Sequence, residues 1–207
     1  MDLKGTVALV TGGNGGLGQR ICHALAREGV NVAVMYAQSR DQAEEVAKDL
    51  TSRYQINAAA FACDITDKAQ VQALWDHAAE TFGQVDFWIN NAGLATSRHP
   101  VHEVPEALTR TLITSNLLGT TFGSQVAISG FRAQGTHVQG HLYNVLGGSF
   151  DGKQLVPNMG VYSATKSGIN LLTKYLIKEN KDQNIVIGSI SPGMLITENW
   201  FTEQKQL

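Results

Sequence analysis

The sequence predicts an α/β domain built on a doubly wound parallel sheet, in three layers with helices on both faces. Two observations carry this. Six short apolar runs rich in β-branched residues alternate with segments of helical periodicity along all 207 residues, and a parallel sheet needs such a crossover between successive strands. A glycine-rich stretch, "TGGNGGLG" at 11–18, then sits between the first run and the first helical segment, as in a strand–turn–helix unit that approaches a ligand.

The expected strands are "TVALVT" (6–11), "NVAVMY" (31–36), "NAAAFACD" (57–64), "VDFWIN" (85–90), "GHLYNVL" (140–146) and "IVIGSIS" (185–191). They read as near-continuous apolar runs, which suits strands buried on both faces. The intervening segments 17–29, 39–54, 67–83, 103–134 and 162–180 carry apolar residues at three- and four-residue spacing, as at Val71, Leu74, Trp75 and Ala78. Gly29 and Gly83 fall where helix C-caps belong. With no repeat, low-complexity tract or linker, one domain spanning 1–207 is expected.

Composition narrows the function. The chain is 43% hydrophobic and 16% charged with a net charge of −2, so it lacks the basic excess that nucleic acid or an anionic membrane would select. Cys22 and Cys63 suggest neither a disulfide framework nor a metal site, and the six histidines are scattered. No metal is expected. "MDLKGTVALV" does not read as a signal peptide, and no apolar run approaches the roughly 20 residues of a membrane span. The chain reads as cytoplasmic.

The glycine turn points to a nucleotide. Gly12 permits a sharp turn, Gly16 lets the backbone approach a pyrophosphate, and Gly18 allows the helix to pack closely on the strand with its N-terminus facing the phosphates. A methyltransferase with a nucleoside cofactor would satisfy this motif alone. An acid near the end of the second strand commonly holds the ribose 2′-hydroxyl of NAD. Here "MYAQSR" (35–40) offers Ser39 and Arg40 instead, which could bond and neutralise a 2′-phosphate. NADP(H) is therefore favoured over NAD(H). Asp64 could accept from an adenine amino group or cap the next helix, a role open also to Thr66 and Asp67. "NNAG" (90–93) ends the fourth strand, either as a ligand-binding edge or as a plain turn.

The stretch "NVLGGSFDGKQLVPNMGVYSATK" (144–166) holds the candidate chemistry. Tyr162 and Lys166 are four apart, so on a helix they share a face. A nearby ammonium stabilises a phenolate and brings the tyrosine proton within reach of exchange with a substrate oxygen. A hydroxyl such as Ser149 could bond that oxygen as charge develops on it. The pair by itself is a weak motif. Its position after the fifth strand, downstream of a phosphate turn, makes it a candidate.

The ordered set "TGGNGGLG", "NNAG", "YSATK" and "SPGM" resembles the short-chain dehydrogenase/reductase family over essentially the whole chain. The resemblance implies a Rossmann fold and places Gly12, Gly16 and Gly18 at the pyrophosphate, Asp64 at adenine, and Asn91, Ala92 and Gly93 beside the adenosine ribose. Asn14, Leu17 and Ile65 are also expected to bind the cofactor. Pro192, Gly193, Ile196 and Thr197 fall on the nicotinamide side. Tyr162, Lys166 and Ser149 match catalytic positions, and Lys166 also reaches the nicotinamide ribose. Asn116, in "SNLLG", matches a helix asparagine that holds a relay water. A homodimer or homotetramer acting on a small carbonyl or alcohol is implied.

Two departures stand out. Where the family often reads "N-I-S-S" this chain has "NVLG", putting Gly147 at a serine position, while Ser149 keeps the usual spacing of 13 residues before Tyr162. The serine role is therefore assigned to Ser149. The first half is similar to 3-oxoacyl-carrier-protein reductases and the second to the chlorophyll(ide) b reductase-like branch. Family members also continue past "SPG" with a substrate-covering helix and a seventh strand, whereas this chain ends at "FTEQKQL"; either the stretch is partial or that lid is lacking. The expected activity is NADP(H)-dependent interconversion of a carbonyl and a secondary alcohol. The rival expectation is a catalytically silent redox sensor of the same fold.

Overall fold

A computed structural model describes residues 2–94 and 99–193. Six strands, β1 (Val7–Val10), β2 (Asn31–Tyr36), β3 (Ala58–Ala62), β4 (Phe87–Asn90), β5 (Gly140–Val145) and β6 (Ile185–Ile190), form one parallel sheet in the order β3-β2-β1-β4-β5-β6. The order reverses between β1 and β4. In a doubly wound sheet that reversal opens a crevice at the carboxyl ends of the strands, where ligands bind.

Strand alternation feeds two cores. Leu9, Met35, Trp88 and Leu142 face α3 (Lys68–Phe82), α5 (Gly119–Ala133) and α6 (Gly160–Glu179), while Val10, Val34, Ile89 and Val145 face α1 (Gly16–Arg27) and α2 (Arg40–Tyr54). With both faces covered, β1 and β4 are buried at every residue, which is why they read as continuous apolar runs. The two edge strands, β3 and β6, have no fully buried residue, and β3 is built largely of small residues, "AAAFA".

The helix termini follow their local chemistry. Asp67 caps α3 by accepting from the backbone N–H groups of Ala69 and Gln70, and Gly83 ends it in the left-handed conformation at φ 85°. Asp67 thus takes the capping role that Asp64 could have filled. The long segment 103–134 is not one uniform helix. A 3₁₀ turn (101–103) and a short α4 (Glu106–Leu112) lead into a π-helical stretch, Ile113–Leu118, before α5. Apolar periodicity cannot distinguish α from π winding, and such stretches recur at functional sites. Asn116 lies within it.

Candidate active site

The glycine turn is shaped by what cannot fit there. A Cβ on Gly18 would lie 2.0 Å from the Gly12 carbonyl oxygen and 2.9 Å from Asn91 Nδ2, so only glycine lets α1 pack this closely on the turn. Gly12 adopts φ +62°, and a Cβ there would meet the Ala92 Cα at 3.1 Å. The turn and the "NNAG" segment are therefore in contact. Thr11 ties them: its hydroxyl accepts from the N–H groups of Asn91 and Ala92, both at 2.9 Å, and donates to the Ile89 carbonyl at 3.2 Å. Asn91 Nδ2 donates in return to the carbonyls of Thr11 and Gly12 at 2.9 and 3.2 Å.

The amino end of α1 begins after Gly15 with no side-chain cap and no acid in its first turn, and Gly16 is exposed there. Free N–H groups and the positive end of the helix dipole are what a diphosphate requires, so the residues present fit a dinucleotide. Asn14 Nδ2 reaches the Ser39 carbonyl at 3.4 Å, joining the turn to the start of α2. Arg40 opens α2 with its side chain largely exposed and its Nε 2.7 Å from Glu44. Leu17 is half-buried against the α1–α2 core.

On the far side of the turn, Asp64 is exposed and uses Oδ1 to accept from the Thr66 N–H and hydroxyl at 2.9 and 2.7 Å, leaving Oδ2 without a partner among the described residues. Ile65 packs on α5, its Cδ1 2.7 Å from where a Cβ on Gly119 would stand. Pro192 and Gly193 follow β6 at the same edge of the sheet, Gly193 at φ +72°. Ile196 and Thr197 lie outside the described residues.

The candidate catalytic residues sit over β4 and β5. Asn116 is fully buried. Its Oδ1 accepts from the Leu94 N–H at 2.8 Å, and its Nδ2 donates to the Leu94 carbonyl and to Thr165 Oγ1, both at 3.1 Å. Thr165 donates onward to the Tyr162 carbonyl at 2.7 Å. Asn116 thereby fastens the loop after β4 to the turn of α6 that carries Tyr162 and Lys166.

Lys166 is buried, with Nζ donating to the Val145 carbonyl at 3.0 Å and standing 5.9 Å from the centre of the Tyr162 ring. Burial lowers the Lys166 pKa from 10.5 to about 8 and raises that of Tyr162 above its ordinary value. The sequence alone predicts a phenol brought down by the ammonium. Among the protein's own groups desolvation prevails instead, because each charged form loses water here.

Ser149 departs from its expected place. It adopts φ +63° and its hydroxyl donates to the Gln154 carbonyl, within the turn that the Gly152 N–H closes back onto Ser149. The residue against the phenol is Gly147, where a Cβ would come 2.1 Å from Tyr162 Oη.

Sequence reasoning missed the buried polar frame beneath these residues. Asn90 accepts from Trp88 Nε1 at 2.7 Å and donates to Asn144 Oδ1 at 2.8 Å and Ser124 Oγ at 3.2 Å, and Asn144 donates to Thr173 at 2.9 Å. Polar residues inside the apolar runs "FWIN" and "LYNV" were the available signal.

Comparison with known proteins gives the family. A family profile described as short chain dehydrogenase matches residues 6–207. The chain belongs to the short-chain dehydrogenase family. Relatives within that family include the diacetyl reductase [(S)-acetoin forming] of Staphylococcus epidermidis, 33% identical over 93% of this chain and 72% of the relative. The chloroplastic chlorophyll(ide) b reductase of Oryza sativa subsp. japonica is 32% identical over 92% of this chain and 56% of its own length. A short chain dehydrogenase from Burkholderia cenocepacia J2315, solved in complex with NADP, superposes with a TM-score of 0.85 at 25% identity over 96% of this chain and 78% of that one. As a short-chain dehydrogenase, the protein is an NAD(P)-dependent oxidoreductase acting on CH–OH and C=O groups. Among the described residues no helix is long and apolar enough to cross a membrane.

Proposed function

We propose that the protein is an NADP(H)-dependent reductase/dehydrogenase interconverting a small-molecule carbonyl and its secondary alcohol, with Tyr162 as general acid/base. The observation that carries this is the Tyr162–Lys166 pair, the phenol half-buried and the lysine buried, one helical turn apart and 5.9 Å from ring centre to Nζ, at the sheet edge that also carries the glycine turn. When bound at this edge, a nicotinamide cofactor would supply the hydride. Tyr162 gives its hydroxyl proton to the carbonyl oxygen as the carbon is reduced, and takes it back when the alcohol is oxidised. The ammonium of Lys166, 5.9 Å from the ring centre, would offset part of the desolvation that raises the phenol's pKa once cofactor and substrate are in place. Asn116 holds the Tyr162 turn in register through Leu94 and Thr165, and by family resemblance it also serves the relay water. The polarising role expected of Ser149 requires its hydroxyl to release Gln154.

Preference for NADP(H) is supported by Ser39 and Arg40 at the start of α2, by the absence of an acid between Met35 and Arg40, and by the NADP complex of the Burkholderia relative. Glu44 holds Arg40 only by an exposed pair, which a 2′-phosphate can displace. A homodimer or homotetramer is supported by exposed Leu171 and Tyr175 on α6, four apart on one face.

The test is NADPH consumption over a panel of ketones, diketones and aldehydes by the wild type and by Tyr162→Phe. The variant is expected to bind NADPH and lose turnover. Turnover equal to wild type removes Tyr162 from the chemistry, and NADPH binding without turnover in either protein favours the sensor reading.

A further inference from the structure

Gly147 and Gly148 follow β5, and nothing in the backbone demands glycine at either. Neither adopts a positive φ, the one conformation that would exclude a side chain on backbone grounds. Their surroundings differ completely. A Cβ on Gly148 would meet nothing within 4 Å, whereas a Cβ on Gly147 would lie 2.1 Å from Tyr162 Oη and 2.8 Å from Cζ. The space a side chain would fill at 147 is taken by the phenol hydroxyl itself.

We infer that Gly147 is a positioning residue for Tyr162: the missing side chain lets the hydroxyl seat against the backbone at the end of β5, where it acts. This rests on the proposed role of Tyr162. Three features fix the seat. The Tyr162 turn is held from behind, because Thr165 donates to its carbonyl and is itself tied to Asn116. Lys166 is anchored to the Val145 carbonyl, two residues before Gly147, so β5 and α6 approach closely at this level. Ser149 is turned into its own loop toward Gln154, so no side chain of the 147–149 stretch stands beside the phenol.

The consequence runs against the family pattern. Since a serine often stands at this position, Gly147→Ser looks like a repair that would add a hydrogen-bond donor. In this chain the Cβ forces Tyr162 Oη back by about 1.3 Å to reach ordinary contact at 3.4 Å. A displacement of about 1 Å at a reacting atom can cost roughly 100-fold in rate. Because the conflict lies at Cβ, Gly147→Ala should do the same damage as Gly147→Ser.

The experiment compares Gly147→Ala, Gly147→Ser, Gly148→Ala and Tyr162→Phe, measuring NADPH affinity by fluorescence, kcat and KM on diacetyl or the best carbonyl of the panel, and the pH dependence of kcat. Both 147 variants are expected to bind NADPH like wild type, to lose about 100-fold in kcat with little change in KM, and to show a displaced pH profile. Gly148→Ala should retain wild-type kcat. A thermal-stability cycle adds a readout independent of turnover: the loss of Tm in Gly147→Ala should be partly relieved by adding Tyr162→Phe, which removes the conflicting oxygen. Wild-type or higher kcat in Gly147→Ser, with Tyr162→Phe inactive, overturns this inference alone. Turnover retained by Tyr162→Phe overturns the reading of Tyr162 beneath it.

Discussion

Replacing Lys166 with methionine should change how stability depends on pH, and the direction can be worked out in advance. Burial lowers the Lys166 pKa to about 8 from 10.5, and in the unfolded chain it returns to about 10.4. Between those values the unfolded chain holds a proton that the folded protein has released, so this group makes stability rise with pH across that window. Below pH 8 the folded protein carries a buried ammonium whose disfavoured charge amounts to about 3 kcal/mol. Lys166→Met removes that penalty together with the hydrogen bond to the Val145 carbonyl, the latter costing about 1 kcal/mol at every pH. Urea denaturation of both proteins at pH 7, 8, 9 and 10 should show the variant at a relative advantage near neutrality, which shrinks above pH 8 and reverses toward pH 10. A difference that stays constant over this range would refute the assignment of a desolvated lysine beside Tyr162.

Three further outcomes follow from single contacts. Gly18→Ala places a Cβ 2.0 Å from a backbone carbonyl that cannot yield, so it should destabilise the fold by about 1–3 kcal/mol and weaken NADPH binding, both readable in a ligand-shift melt. Asn90→Leu strands the indole N–H of Trp88 and leaves Asn144 Oδ1 only its long 3.5 Å contact with Ser124 Oγ; chemical denaturation should register a loss of about 1–3 kcal/mol for the buried indole N–H left unpaired. Arg40→Ala should weaken NADPH about tenfold while leaving NADH unaffected in fluorescence titrations, and equal loss for both cofactors would detach Arg40 from the 2′-phosphate.

How much of this was legible beforehand depended on the range of the interaction. The six strands and their parallel arrangement followed from local composition and alternation, and "NVAVMY" even kept its boundaries as β2, because burial on both faces leaves a continuous apolar record. The tight turn at Gly12 and the close helix packing at Gly18 were equally legible, since the Gly18–Gly12 approach lies within one strand–turn–helix unit. Thr11, Asn90 and Thr165 were not, because their partners lie 80, 54 and 49 residues away, at Asn91, Asn144 and Asn116. The serine assignment shows the limit most clearly. Spacing pointed to Ser149, but spacing carries no information on loop path, and a left-handed turn at Ser149 sends its hydroxyl to Gln154 and leaves Gly147 beside the phenol. The π winding around Asn116 was hidden because a six-residue stretch is too short for its period to stand apart from that of the flanking α-helix.

The central claim is that this chain passes a hydride to a carbonyl carbon while Tyr162 supplies the proton. Tracing the hydride directly tests it: NADPH deuterated at its transferable position is incubated with the best carbonyl of the panel, and the alcohol is analysed by mass spectrometry for wild type and Tyr162→Phe. The account predicts one deuterium at the carbinol carbon with the wild type, and no product from a variant that still binds NADPH. Unlabelled alcohol from the wild type, or labelled alcohol formed at the wild-type rate by the variant, would contradict it.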